Sequence, residues 1–287
     1  MQTHLDCIPC FLKQALEATC MVTTQESTQT QVLQNVMNYL QQADLSKSPP
    51  ELSQKIHQII RSTTHSPDPY KTVKMQANTQ AKKHLPYLKK QITASQDQLL
   101  LAIKLAIVGN VIDYGTMSRL NIDEMINKAL TQPFDLHQYP TFKNQLKTTK
   151  SILILGDNTG EIIFDTLLLQ QLSEYTQDIT YVVKAHPIIN DAQKNDALYA
   201  GIDNYATIIE ADSGQPNSSP GILLHNTTPR FKRHFTNADI ILSKGQGNYE
   251  GLNTTTRQIY FLFMIKCPLI AQLMGKPVGT PILQVNQ

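Results

Sequence analysis

The sequence predicts an α/β fold, with a mostly parallel sheet flanked by helices and an all-helical domain ahead of it. Two observations carry this. From about Lys150, short runs of Ile, Leu, Val and Tyr alternate with helical patterns, the mark of successive βα units. Ahead of that point the chain shows only helical spacings and loops. The predicted boundary separates a helical domain at 1–146 from an α/β domain at 147–287, the latter Rossmann-like and three-layered.

In the first part, Pro9 suits a first helical turn and opens a short helix through Glu17. Val32, Val36, Met37 and Leu40 recur at helical spacing behind Ser27 or Thr28 as a cap. Pro49-Pro50 opens the next helix, which carries Leu52, Ile56, Ile59 and Ile60 on one face. Asp68 followed by Pro69 is a cap with a first-position proline, and predicts a helix to about His84 that Pro86 interrupts. The segment 97–112 is apolar on most sides and reads as the buried hub of this region. Residues 121–130 read as one more amphipathic helix.

Strands are predicted at Ser151–Leu155, 180–184, Thr207–Glu210, 239–243, 259–265 and 282–285, with a surface loop at 211–220. The first strand breaks at Gly156, sets Asp157 and Asn158 on the turn, and leads into a helix near Gly160. The second is followed by Ala185-His-Pro-Ile-Ile-Asn-Asp191, and the strand 239–243 by Lys244-Gly-Gln-Gly-Asn-Tyr-Glu250. If these strands are parallel, right-handed crossovers bring all three turns to one edge of the sheet. Open α/β sheets bind ligands at that edge.

Asp157, Asn158, Asp191, Lys244 and Asn248 then become neighbours. Two carboxylates and an amide oxygen form a partial ligand set for a hard divalent ion, leaving positions for water and phosphate oxygens. Helix capping is the competing role for Asp157 and Asp191, and the two roles are compatible. Gly245 and Gly247 carry no Cβ, so backbone N–H groups there can approach an anion closely; a tight turn with a solvated lysine is the plainer alternative. Glu161 suits the positive end of its helix. Asn110 and Asp113 are polar residues three apart in an apolar stretch, which predicts that they face a cleft between the domains. His186 abuts Pro187 and reads as incidental.

These residues carry a family resemblance. Gly156-Asp-Asn-Thr-Gly-Glu161, Pro187-Ile-Ile-Asn-Asp191 and Ser243-Lys-Gly-Gln-Gly-Asn-Tyr-Glu250 resemble the signature motifs of the damage-control phosphatases, which are metal-dependent enzymes. Asp68-Pro-Tyr70, Gly109-Asn-Val-Ile-Asp113 and Lys266-Cys267 continue the likeness, and Cys7-Ile-Pro-Cys10 resembles the prokaryotic and archaeal branch. The resemblance spans almost the whole chain. It implies a hydrolase that releases phosphate from small metabolites, either sugar phosphates or damaged phosphometabolites, with Mn²⁺, Mg²⁺, Co²⁺ or Ni²⁺ bound. It implies Asp157, Asn158 and Asp191 as metal ligands, and Lys244 and Asn248 as phosphate or substrate contacts. Glu161 is implied to contact a substrate hydroxyl or help activate water. Asn110, Asp113, Asn190, Gly245 and Lys266 are implied on the substrate side, although Lys266 also fits an ordinary solvated strand tip.

Composition narrows the field further. Lys and Arg number 25 against 23 Asp and Glu, a net charge of +2 that offers no basic footprint for nucleic acid. No apolar run approaches the ~20 residues needed to span a bilayer, and the N-terminus lacks a signal-peptide pattern. The 4 cysteines are too few for a disulfide scaffold at this length, so the cytoplasm is the expected compartment. Cys7 and Cys10 match half a zinc site without a second Cys-x-x-Cys, and packing as small hydrophobes is the commoner use. Thr159 removes the Asp-x-Asp of haloacid-dehalogenase phosphatases, and the turn after Gly156 lacks the dinucleotide Gly-x-Gly-x-x-Gly spacing. Two other classes stay open: an S-adenosylmethionine-dependent carboxyl methyltransferase, and a non-catalytic metal- or metabolite-binding protein.

Overall fold

The computed structural model describes residues 1–109, 131, 134–212 and 218–286. Helices α1 Cys7–Cys20, α2 Glu26–Gln41, α3 Pro49–Thr64, α4 Lys71–Ala94 and α5 Gln98–Val108 open the chain, and α6 Tyr139–Leu146 leads to the sheet. There follow β1 Ser151–Leu155, α7 Glu161–Leu172, β2 Asp178–Val183, α8 Lys194–Ala200, β3 Thr207–Glu210 and α9 Pro229–Asn237. The last elements are β4 Ile240–Lys244, α10 Gln246–Leu252, β5 Tyr260–Met264, α11 Pro268–Met274 and β6 Pro281–Val285.

The strand order is β3-β2-β1-β4-β5-β6. All neighbours pair in parallel except β5 with β6, which are antiparallel. The chain winds outward from β1 in one direction to β3, then crosses to β4 and winds the other way. Such a reversal opens a crevice between the carboxyl ends of β1 and β4.

Side chains alternate between the two faces of each strand. Ile152 and Ile154 of β1 join a core with α4, α5 and α7, whereas Leu153 and Leu155 join another with α9, α10 and α11. Both faces are covered, which is why the inner strands read as continuous apolar runs rather than alternating ones. Helix α7 is buried along almost its whole length, because α5 packs across its outer side. That burial explains the all-round apolar character of α5. Helices α1 to α3 build a separate small core from Phe11, Val32, Val36, Leu52, Ile56 and Ile60.

Several boundaries differ from the sequence expectation. Helix α4 runs through Pro86 instead of stopping before it. An interior proline costs a helix about 3 kcal/mol, yet Ala77, Ala81, Leu88 and Ile92 keep one buried face across it while Pro86 itself is exposed. Burial of that face outweighs the local penalty. Helix α1 begins at Cys7, which places Pro9 inside its first turn. Beyond Gly109, the end of the predicted hub helix and the predicted helix 121–130 lie outside the described residues. No helix among the described residues is long and apolar enough to cross a membrane.

His57 is buried on α3, with its Nε2 3.3 Å from Gln14 Oε1. Burial holds its pKa down at about 3, and the charge of Arg61 adds to the fall. An unfolded histidine takes a proton near pH 6.5, whereas the folded one refuses it until about 3. Stability present above pH 6.5 is therefore lost as pH falls through that window, at about 1.4 kcal/mol per pH unit. His57→Leu is expected to flatten the acid limb of the Tm–pH curve; an unchanged slope between pH 6.5 and 3 contradicts this.

Candidate functional site

At the end of β1 the chain turns through Gly156 to Gly160, whose φ of 78° sets the entry to α7. The turn is stitched to the one that follows β2. The Ala192 N–H donates to the Asp157 carbonyl at 2.8 Å, and the Thr159 N–H donates to the Asn190 carbonyl at 2.9 Å. The Thr159 hydroxyl donates to the same carbonyl at 3.0 Å. Asn158 and Asp191 pair as an isolated antiparallel bridge. Backbone bonding thus brings Asp157, Asn158 and Asp191 onto one rim, at the crevice the topology opens.

Their side chains are buried: Asp157 is 7% exposed, Asn158 9% and Asp191 3%. Asn158 Nδ2 donates to Asp157 Oδ2 at 2.8 Å, which fixes the two side chains against each other. Asp191 Oδ2 lies 3.5 Å from the Lys184 ammonium, yet finds no hydrogen-bond donor. Burial pushes the Asp191 pKa well up; Lys184 opposes the rise and the charge of Asp157 adds to it. A pair of buried carboxylates with an unsatisfied oxygen is costly unless a cation compensates it.

The donor set fits a hard divalent ion on chemical grounds: two carboxylates and an amide oxygen, with a buried oxygen left over. Among the described residues no three His, Cys, Asp or Glu side chains are grouped to hold an ion. The fit is therefore to a shell completed by water or phosphate oxygens, as Mg²⁺ and its relatives prefer.

The β4 side presses against this rim. Gly245 has φ 83°, and a Cβ there would overlap the Asp157 carboxylate, so glycine is required on both counts. Asn248, fully buried, donates through Nδ2 to the carbonyls of Gly156 at 3.1 Å and Lys244 at 2.9 Å. Its Oδ1 accepts the Ile222 N–H at 3.0 Å. The structure thus places Asn248 as a tie between the ends of β1 and β4 and the 218–222 segment.

Lys244 was expected to meet phosphate; its ammonium instead lies fully buried, in an ion pair with Glu161 and 2.7 Å from Asp165 Oδ1. Tyr181 donates to the other Asp165 oxygen at 2.6 Å. Burial alone lowers the Lys244 pKa, but Asp165 and Glu161 more than offset it, so the ammonium stays charged. Burial raises the Glu161 pKa, with Lys244 opposing and Asp157 and Asp165 adding to the rise. Lys244 therefore neutralises carboxylates directly behind the rim.

The remaining expected residues scatter. Asn190 contributes its carbonyl to the stitched turns. Lys266 is exposed at the end of β5, its N–H on Gln246 Oε1 at 2.9 Å. His186 is exposed and its N–H donates to Ser218 Oγ at 2.9 Å. Asn110 and Asp113 lie outside the described residues. The thiols of Cys7 and Cys10 are free, and burial pushes both pKa values up.

Sequence reading passed over Asp165, Lys184, Tyr181 and Asn78. Asp165 follows Glu161 by four residues, the spacing that shares a helix face. Lys184 follows an apolar strand as directly as Lys244 does. Asn78 of α4 accepts the Gly160 N–H at 2.7 Å and donates to Asp196 at 2.8 Å, a long-range contact with no local signal. Beside it opens a cavity of about 540 Å³ lined by Lys71, Lys74, Asn78, Gln193, Asp196 and Tyr199. A larger hollow near Phe134, His137 and Lys276 contains none of the strand-end residues.

A doubly wound sheet with an acidic rim at its strand ends defines an α/β protein of the class whose ligand sites commonly lie at that edge. Residues 3–282 match the damage-control phosphatase ARMT1-like domain, and the chain belongs to that family. A damage-control phosphatase of Archaeoglobus fulgidus is 30% identical over 97% of this chain and 97% of its own. One of Pyrococcus horikoshii is 30% identical over 77% of this chain and 75% of its own. The crystal structure of a DUF89 family protein from Pyrococcus horikoshii covers 100% of both chains, with 26% identity and a TM-score of 0.91.

Lys244→Ala would leave Glu161 and Asp165 buried without their cation. It is expected to cost about 3–5 kcal/mol in urea unfolding. The same change made on a Glu161→Gln, Asp165→Asn background should cost less than half as much. Equal costs in both backgrounds contradict the ion-pair account.

Proposed function

We propose that this chain is a metal-dependent phosphatase that hydrolyses phosphate monoesters of small metabolites. The observation that carries the reading is the burial of Asp157 and Asp191 on two turns bonded to each other, with the charge of Asp157 felt at Asp191 and Asp191 Oδ2 unsatisfied. Family membership supports the same reading, since the relatives from Archaeoglobus fulgidus and Pyrococcus horikoshii are named damage-control phosphatases.

Asp157, Asn158 and Asp191 would hold a divalent ion, with Mn²⁺, Mg²⁺, Co²⁺ and Ni²⁺ as the candidates. Such an ion supplies Lewis acidity to the phosphoryl group and to the attacking water. Thr159 and Asn190 keep the two carboxylate turns in register. Lys244, held behind the rim by Glu161 and Asp165, offsets negative charge that would otherwise repel an incoming phosphate. Glu161 lies directly behind the same rim, where its ion pair with Lys244 holds that ammonium in place. The organic part of the substrate would enter the cavity beside Asn78, where lysines and carboxylates together offer partners for hydroxyl groups. Attack by water is favoured over an aspartyl-phosphate, because ligation would occupy the Asp157 carboxylate.

A phosphate-release screen over a panel of phosphometabolites, with each metal and a chelator control, tests this reading. Turnover is expected with at least one metal and none with chelator. Asp157→Ala and Asp191→Ala should each lower kcat/KM by at least about a hundredfold, with far-UV circular dichroism unchanged. Metal-independent turnover, or wild-type rates in either variant, would sink it. Saturable binding without phosphate release would make the chain a metabolite-binding protein instead.

A further inference from the structure

The turn that carries Asp191 has a backbone shape its sequence resists. Ile189 has φ 43°, in the left-handed region that glycine favours and β-branched residues avoid. The Asp191 N–H closes the turn on the Ile188 carbonyl at 3.0 Å, which makes Ile189 its first central residue. Turns with positive φ at that position usually place glycine there.

Packing holds Ile189 in place. Its side chain lies against the core of α1 to α3, the cluster that includes Phe11, Ile56 and Ile60. Arg61 of α3 reaches the same loop, with Nη1 donating to the Pro187 carbonyl at 2.9 Å. On the far side of Ile189, the Asn190 carbonyl takes both Thr159 bonds and Asp191 pairs with Asn158. The strained residue therefore sits between an anchor in the N-terminal helices and the donor rim.

We propose that Ile189 and Arg61 are positioning residues that strap the Asp191 turn to helices α1 to α3, holding its carboxylate in register with Asp157 for divalent-cation binding. The proposal rests on the metal reading above. A turn released from the strap relaxes toward negative φ at 189, which swings the Asn190 carbonyl and Asp191 away from their partners. The helical part thereby sets the geometry of a site whose proposed ligands stand on the turns of the sheet.

The test is calorimetric titration of the full chain with Mn²⁺, paired with amide hydrogen exchange on the metal-free protein. Ile189→Ala removes the anchor but keeps a side chain that resists positive φ, whereas Ile189→Gly removes anchor and resistance together. Ile189→Ala is expected to weaken Mn²⁺ affinity about tenfold or more. Ile189→Gly should recover part of that loss, and Arg61→Ala should fall in the same direction as Ile189→Ala. The Thr159 and Ala192 amides should lose protection in Ile189→Ala while those of Leu167 and Leu168 keep theirs, a pattern that general unfolding does not produce. Wild-type affinity in all three variants, or unchanged protection at Thr159 and Ala192, overturns the proposal. Failure of the wild-type chain to bind Mn²⁺ overturns the metal reading instead, and the exchange pattern then decides the strap by itself.

Discussion

Parallel pairing of β1 with β2 on one side and β4 on the other is the constraint on which the site depends. Parallel neighbours end at the same edge, so the turns after β1, β2 and β4 meet there whatever else the chain does. Once they meet, backbone bonds from Thr159 and Ala192 lock the first two turns together, and Asn248 locks the third. The first two turns then carry short polar side chains at a common edge, and the third braces them from behind. The polar groups are close because the apolar strands beneath them are paired.

Crowding acids at that edge has an electrostatic cost, and the molecule meets it in two places. Behind the rim, Lys244 sits between Glu161 and Asp165, so each of these buried carboxylates has a cation in contact. On the rim, Lys184 stands 3.5 Å from Asp191 Oδ2, but that oxygen receives no hydrogen bond and Asp157 adds a second negative charge nearby. A fully satisfied cluster would be inert scaffolding. An incompletely satisfied one favours a bound cation, since desolvation makes each unpaired charge more expensive than it is in water. The two lysines differ in this respect although both end apolar strands.

Much of the fold was legible because the sheet is covered on both faces, which makes β1, β2 and β4 apolar runs with abrupt polar ends. Asp157, Asn158 and Asp191 stand at those ends, so spacing alone marks the edge they share. The orientation of Lys244 was not legible. Whether a strand-end lysine faces solvent or turns inward depends on Glu161 and Asp165, which lie 83 and 79 residues away in the chain. Pro86 misled for a related reason: the local rule is sound, but a buried face extending to Ile92 overrides it. Ile189 gave no hint of its backbone, because only glycine or asparagine advertises a left-handed turn in a sequence.

The central claim is that oxygen atoms of Asp157, Asn158 and Asp191 hold one divalent ion at the reversal point of the sheet. Diffraction data collected at the manganese absorption edge from a crystal grown with Mn²⁺ address it most directly. The account predicts an anomalous peak within coordination distance of both aspartates. A peak bound elsewhere, or none at this rim with Mn²⁺ at saturating concentration, would contradict it.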